Sequence, residues 1–225
     1  MLHNLTEMKI TSLKILVIAL LLAIVSCKKE AQTAALKLVP TKITHAKGFD
    51  IIEENGVKKL IIKSAYQNSN DVFTYHIYKK MPIAAVVSAR LNNIQIPVKN
   101  IVVTSTTHIP MVELLQSENA IIGFPHGKYV SSKRTRNLLD AGKIAEIGKE
   151  NSLNTEILLD LHPDLVVGYS VTSPDKSLTT LQKAGIKVIY NGDWLEETPL
   201  GKAEWIKFFG VLFDKEKEAD SIFKA

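Results

Sequence analysis

Four stretches of this chain place hydroxyls, imidazoles and aromatic rings directly after short apolar runs. Thr104-Ser105-Thr106-Thr107-His108 follows Ile101-Val102-Val103, and Phe124-Pro125-His126-Gly127-Lys128-Tyr129 follows Ala120-Ile121-Ile122-Gly123. Gly168-Tyr169-Ser170 and Tyr190-Asn191-Gly192-Asp193-Trp194 close two further runs. Hydroxyls and free N–H groups beside a helix start can hold an anionic group. For Thr106, Thr107 and His108 the plain alternative is helix capping by a threonine. Imidazole and phenol are iron ligands, so His126 and Tyr129 form a candidate pair, with Lys128 to neutralise a negative ligand. The alternative there is an ordinary exposed loop. Tyr169 and Trp194 offer aromatic walls of the kind that suits large, flat, partly apolar ligands. Trp194 has a second reading, as packing at the start of the last helix. Arg134 and Arg136 either add positive charge beyond Tyr129 or face solvent.

Other chemistries lack their signatures. The six histidines have no i, i+4 or close-pair spacing, which gives no support for a metal site. No glycine-rich nucleotide loop and no nucleophile elbow occurs. The net charge of +5 is mild and spread along the chain, which argues against a nucleic-acid partner.

The runs that position these loops alternate with helical spacing. Ile101–Thr104, Ala120–Phe124, Leu165–Gly168 and Lys187–Tyr190 read as strands, with helices over Ile109–Gln116, Lys133–Asp140, Thr155–Leu161 and Ser177–Ala184 between them. That alternation predicts an α/β fold, a Rossmann-like parallel sheet with flanking helices over residues 99–199. In such sheets ligands sit beyond the carboxyl ends of the strands, where the four stretches lie. Residues 38–98 read as a small strand-rich segment, with Glu54-Asn55-Gly56 as a hairpin turn. Residues 200–225 read as one long helix, with apolar Trp205, Phe208, Phe209, Leu212 and Phe213 at spacings of three and four.

Residues 1–26 read as an export signal. Lys9 and Lys14 precede the apolar run Ile15–Val25, which is shorter than the roughly 20 residues a spanning helix needs. The run ends in Ile24-Val25-Ser26-Cys27, which resembles a bacterial lipobox, and Cys27 is the only cysteine of the chain. Acylation at Cys27 predicts a lipid anchor, with residues 27–37 as a tether. The alternative is a signal anchor with an incidental cysteine.

The strand Asn100–Ser105, the run Thr155-Glu156-Ile157-Leu158-Leu159-Asp160-Leu161-His162-Pro163-Asp164-Leu165-Val166-Val167 and Leu181-Gln182-Lys183-Ala184-Gly185-Ile186-Lys187-Val188 together resemble the class III solute-binding proteins of ABC importers. The resemblance covers residues 99–225 and implies the amino-terminal lobe plus the start of the helix that joins two lobes. It implies capture of an iron–siderophore, haem or cobalamin-type ligand, delivery to ABC permease subunits, no catalysis and no intrinsic cofactor. It also implies permease docking by Glu156, which stands in the matching helix. The alternative for Glu156 is a first-turn carboxylate favoured by the helix dipole. Two other functions remain open at this point: an exported α/β hydrolase using the same strand ends, and a non-transport adaptor lipoprotein.

Overall fold

The computed structural model describes residues 43–54, 56–87, 91–149 and 152–225. The export signal, Cys27 and the tether lie outside them. The described residues belong to one compact unit.

Its centre is a five-stranded parallel sheet. The strands are β5 (Ile101–Val103), β6 (Ile121–Phe124), β7 (Ala145–Glu146), β10 (Leu165–Gly168) and β11 (Val188–Tyr190), in the order β11-β10-β5-β6-β7. Every residue of β5, β10 and β11 is buried, which is what continuous Val/Ile/Leu runs demand when helices cover both faces. The crossovers are α2 (His108–Leu114), α3 (Lys133–Asp140), α4 (Thr155–Leu161) and α5 (Lys176–Lys183). Asn154 caps α4 by accepting from the Ile157 amide, and Asp175 caps α5 by accepting from Ser177 and Leu178. A two-stranded ribbon, β8 (Gly148–Lys149) with β9 (Ser152–Leu153), precedes α4.

Residues 49–98 form a second sheet, β1 (Phe49–Glu54), β2 (Val57–Ile62), β3 (Phe73–Tyr78) and β4 (Asn93–Gln95), in chain order. β1 and β2 pair antiparallel across the turn at Gly56, whose φ of +72° is a glycine conformation. β3 pairs parallel with β4 through the short helix α1 (Ile83–Val87). The two sheets share one apolar core running from Phe49 to Ala219. The Phe73 and Tyr190 rings meet tilted at 45° with centroids 4.9 Å apart, and the Tyr190 amide donates to the buried Tyr75 hydroxyl at 3.3 Å.

The last segment is helical but is not one helix. It consists of α6 (Pro199–Glu204), α7 (Ile206–Leu212) and α8 (Glu216–Lys224). The chain bends at Trp205 and reverses at Asp214, which takes the left-handed φ of 57° that Asp tolerates. The reversal lays α8 on α7. A Cβ at Gly210 would stand 2.6 Å from the Ala219 Cβ, so the close approach needs glycine. The expected apolar stripe is present, since Trp205, Phe208, Phe209, Leu212 and Phe213 are all buried.

Two buried glutamates tie the start of the described chain to this segment. Glu204 accepts from the amides of Thr44, His45 and Ala46 at 2.6–3.0 Å and pairs with Lys207 at 2.9 Å. Glu196 accepts from the amides of Lys47 and Gly48 and from the Trp205 indole.

Candidate functional site

The four stretches of interest end parallel strands of one sheet, so topology alone brings them to one rim. The loop after β5 presents Thr106 and Thr107 to solvent. Thr107 makes no capping bond to α2; its hydroxyl pairs with the Ser105 hydroxyl at 2.9 Å, and the Ser105 hydroxyl also accepts from the Thr107 amide. The capping alternative is therefore not what this loop does. His108 departs from its expected place. It is the first residue of α2 and is fully buried against the Phe209 ring at 5.6 Å, so it does not face a ligand from solvent. Burial pushes its pKa from 6.5 down to about 4, with the Asp193 charge opposing.

The loop after β6 carries His126 and Tyr129. His126 sits at a left-handed φ of 51°, and its ring meets Tyr129 edge to face at 5.4 Å. Tyr129 is 56% exposed, and Lys128 lies 5.0 Å over its ring. Arg136 donates to the carbonyls of Gly127 and Val130, both at 2.7 Å. Arg134 instead pairs with Glu118. Arg136 thus braces the loop from α3, a role its spacing alone does not reveal.

After β10, Tyr169 is half-buried and its amide donates to the Thr104 hydroxyl at 3.3 Å. A hollow of about 280 Å³ opens here, lined by Tyr169, Ser170, Thr172, Ser173, Pro174 and Lys176 among others. After β11, a tight turn over Asp193–Leu195 carries the half-buried Trp194. The turn packs so closely that a Cβ on Gly192 would sit 1.9 Å from the Ser64 carbonyl oxygen. Glu156 is exposed in the first turn of α4, clear of these loops in sequence but on a helix that runs back from the rim toward the start of β10.

Several acids near the rim are engaged within the fold, while Glu146, at the end of β7, is exposed. Asp175 caps α5, Glu196 holds two backbone amides and an indole, Asp193 is buried, and Glu197 pairs with Lys47 at 3.6 Å. Lys128 and Lys176 are exposed. Among the described residues no group of three or more His, Cys, Asp or Glu side chains is placed to hold a metal ion.

A larger hollow, about 790 Å³, lies at the opposite, amino edge of the sheet. It contains none of the expected site residues. Several of its polar members are already engaged: Asp164 accepts from the amides of Lys99 and Asn100, and His162 Nδ1 bonds the Asp160 carbonyl. In open parallel sheets ligands sit beyond the carboxyl ends of the strands, not at this edge.

Residues 101–225 match the family model described as periplasmic binding protein. Over 138 residues, 58% of the chain, it is 27% identical to an uncharacterised lipoprotein of Methanocaldococcus jannaschii, of which it spans 33%. It is 30% identical over 138 residues to a second lipoprotein of that organism, spanning 35% of it. The chain thus spans about a third of the length of these relatives. In structure it is similar to the periplasmic haem-binding protein HutB of Vibrio cholerae, with a TM-score of 0.45 and 20% identity over 56% of this chain and 46% of that one.

Proposed function

The chain belongs to the periplasmic binding protein family, and from that membership we propose that it is an exported, lipid-anchored capture protein that hands an anionic metal chelate to an ABC permease. Families of this kind bind small solutes. The observation that carries the ligand class is the placing of two exposed lysines beside the aromatic rings of the rim. Lys128 and Lys176 are exposed there, while Asp175, Asp193, Glu196 and Glu197 are capped, buried or paired. The exposed ammonium groups of Lys128 and Lys176 favour a negative group on the ligand by Coulomb attraction at short range. Tyr129, Tyr169 and Trp194 add aromatic contact area for a ligand with flat or apolar parts. The ring pair His126 and Tyr129 supplies iron-ligating atoms. These features favour a ferric siderophore or haem over a cobalamin, whose corrin carries less negative charge.

Anchoring through Cys27 is in keeping with the lipoprotein relatives. Glu156, exposed and without a role in the core, is the proposed contact for the permease. Titration of the full chain with haem, ferric siderophores and cobalamin, followed by tryptophan fluorescence, tests the reading. A saturable response to an anionic iron chelate supports it. Saturation by none of the three, or by neutral ligands alone, contradicts it.

A further inference from the structure

The sheet of residues 49–98 lies outside the segment that matches the family, yet one of its loops reaches the rim. Residues 63–72 join β2 to β3, and three contacts fix where they stand. The Ser64 carbonyl oxygen lies against Gly192, where a Cβ would be only 1.9 Å from it, in the turn that leads to Trp194. The Gln67 backbone amide donates to the Val171 carbonyl at 2.9 Å, two residues beyond Tyr169. Phe73, which ends the loop, meets the ring of Tyr190, the last residue of β11, at 4.9 Å. The loop therefore abuts the segments that follow β10 and β11. Since β11 is an edge strand of the parallel sheet, the loop closes the rim on that side. Buried Ala65 and Tyr66 anchor it, and the Tyr66 hydroxyl donates to the Asp71 carboxylate. Gln67, Asn68, Asn70 and Val72 remain exposed.

Binding residues are carried disproportionately on loops that a rigid scaffold positions, and a few polar groups among apolar ones set the specificity of a pocket. This loop has that composition. It holds no lysine or arginine, and its one carboxylate is engaged by Tyr66. It offers carboxamides, which donate and accept, and the apolar Val72. We propose that residues 63–72 form a fifth wall of the ligand rim, with Val72 within Coulomb range of the bound chelate. The wall determines specificity: Lys128 and Lys176 attract an anionic ligand, and the loop selects by shape and hydrogen bonding. The inference rests on the proposed function for its ligand, and on the three contacts for the wall itself.

Two measurements on the full chain test it. The first needs no ligand. Gln67 is exposed, so its amide is protected through the Val171 carbonyl. Hydrogen exchange followed by NMR is expected to show that amide exchanging at least about tenfold more slowly than in an unfolded chain. Exchange at the unfolded rate overturns the wall. The second is titration of the parent, Val72→Asp and Val72→Lys with haem and with a ferric triscatecholate siderophore. Val72 is 60% exposed, so both variants are expected to fold. At about 0.1 M salt the aspartate is expected to weaken affinity about threefold and the lysine to strengthen it by a similar factor, both effects fading near 1 M. The triscatecholate, with its three negative charges, should respond more than haem. Lys80→Glu is the control. It lies past the far end of β3, whose six residues span about 20 Å, or two Debye lengths at about 0.1 M salt, and it is expected to leave affinity unchanged. Binding by the parent with no opposite response at Val72 overturns this inference and leaves the ligand reading standing. Saturation by neither probe overturns both. If a variant does not fold, the exchange of the Gln67 amide still decides.

Discussion

Arg136 Nη2 donates to the Gly127 carbonyl at 2.7 Å, reaching from α3 back to the loop that carries His126 and Tyr129. The same nitrogen serves the Val130 carbonyl at 2.7 Å. One guanidinium therefore spans both ends of the short turn Gly127–Tyr129. A lysine keeps the charge there but carries it on a flexible stem in place of a rigid planar group. Arg136→Lys is expected to lower stability by about 1–2 kcal/mol, in the range of hydrogen bonds to a charged donor, and to weaken ligand binding at the rim. Urea unfolding and ligand titration measure the two. Lys133→Ala, at the exposed start of α3, serves as control. Equal behaviour of the two variants contradicts the bracing role.

Glu204 holds the strap 44–46 and Lys207 in a buried site. Those hydrogen bonds outweigh desolvation and take its pKa from 4.5 to about 2. The folded pKa lies below the unfolded one, so the contribution is complete above about 4.5 and is lost as pH falls toward 2. Glu204→Gln is expected to cost about 3 kcal/mol at neutral pH, because it removes the buried carboxylate that holds the amides of 44–46 and one of the two carboxylates paired with Lys207, Asp220 at 3.4 Å being the other. It should also flatten the acid limb of the stability profile between pH 4.5 and 2. A variant that keeps the parental acid limb shows that another carboxylate governs it.

Replacing Cys27 with Ser removes the acylation site. The protein is then expected to leave the lipoprotein fraction and to lose metabolically incorporated palmitate. Unchanged labelling would place the lipid elsewhere and remove the anchor from Cys27.

Glu156 is expected to be separable from ligand binding because its side chain is exposed in the first turn of α4, outside the four loops. Glu156→Ala is expected to leave ligand affinity within experimental error and stability within about 0.5 kcal/mol, while slowing uptake by cells that carry the matching permease. Loss of ligand affinity in proportion to uptake makes Glu156 structural instead.

Much of the rim was legible in the sequence because a parallel α/β sheet fixes where loops go. Short apolar runs at β5, β6, β10 and β11 alternate with helical spacing, and that pattern alone sends Thr107, Tyr129, Tyr169 and Trp194 to one edge. The helices over Lys133–Asp140 and Thr155–Leu161 are also where spacing and caps put them. His108 was misplaced because a helix start hides the direction of its first side chain; α2 begins one residue earlier than the apolar spacing suggests and turns the imidazole onto Phe209. The break at Asp214 was missed for want of a glycine or proline. The reversal is paid in tertiary contacts: Lys215 Nζ bonds the Leu115 carbonyl at 2.6 Å and the Ser117 hydroxyl at 3.1 Å. The bonds from Glu196 and Glu204 to amides of residues 44–48 are invisible to any local pattern, since the partners lie 148 or more positions away. Thr198-Pro199, a cap followed by proline at the first helical position, is the one local signal that a separate helix begins there.

The most direct test of the account is the affinity of the full chain for a ferric siderophore, measured beside Tyr129→Ala and Lys128→Glu. Saturable binding by the parent is expected, with a loss of about tenfold for Tyr129→Ala from its aromatic contact, and a further loss for Lys128→Glu that shrinks as salt is raised. Binding that is indifferent to both substitutions, at low and high salt alike, contradicts it.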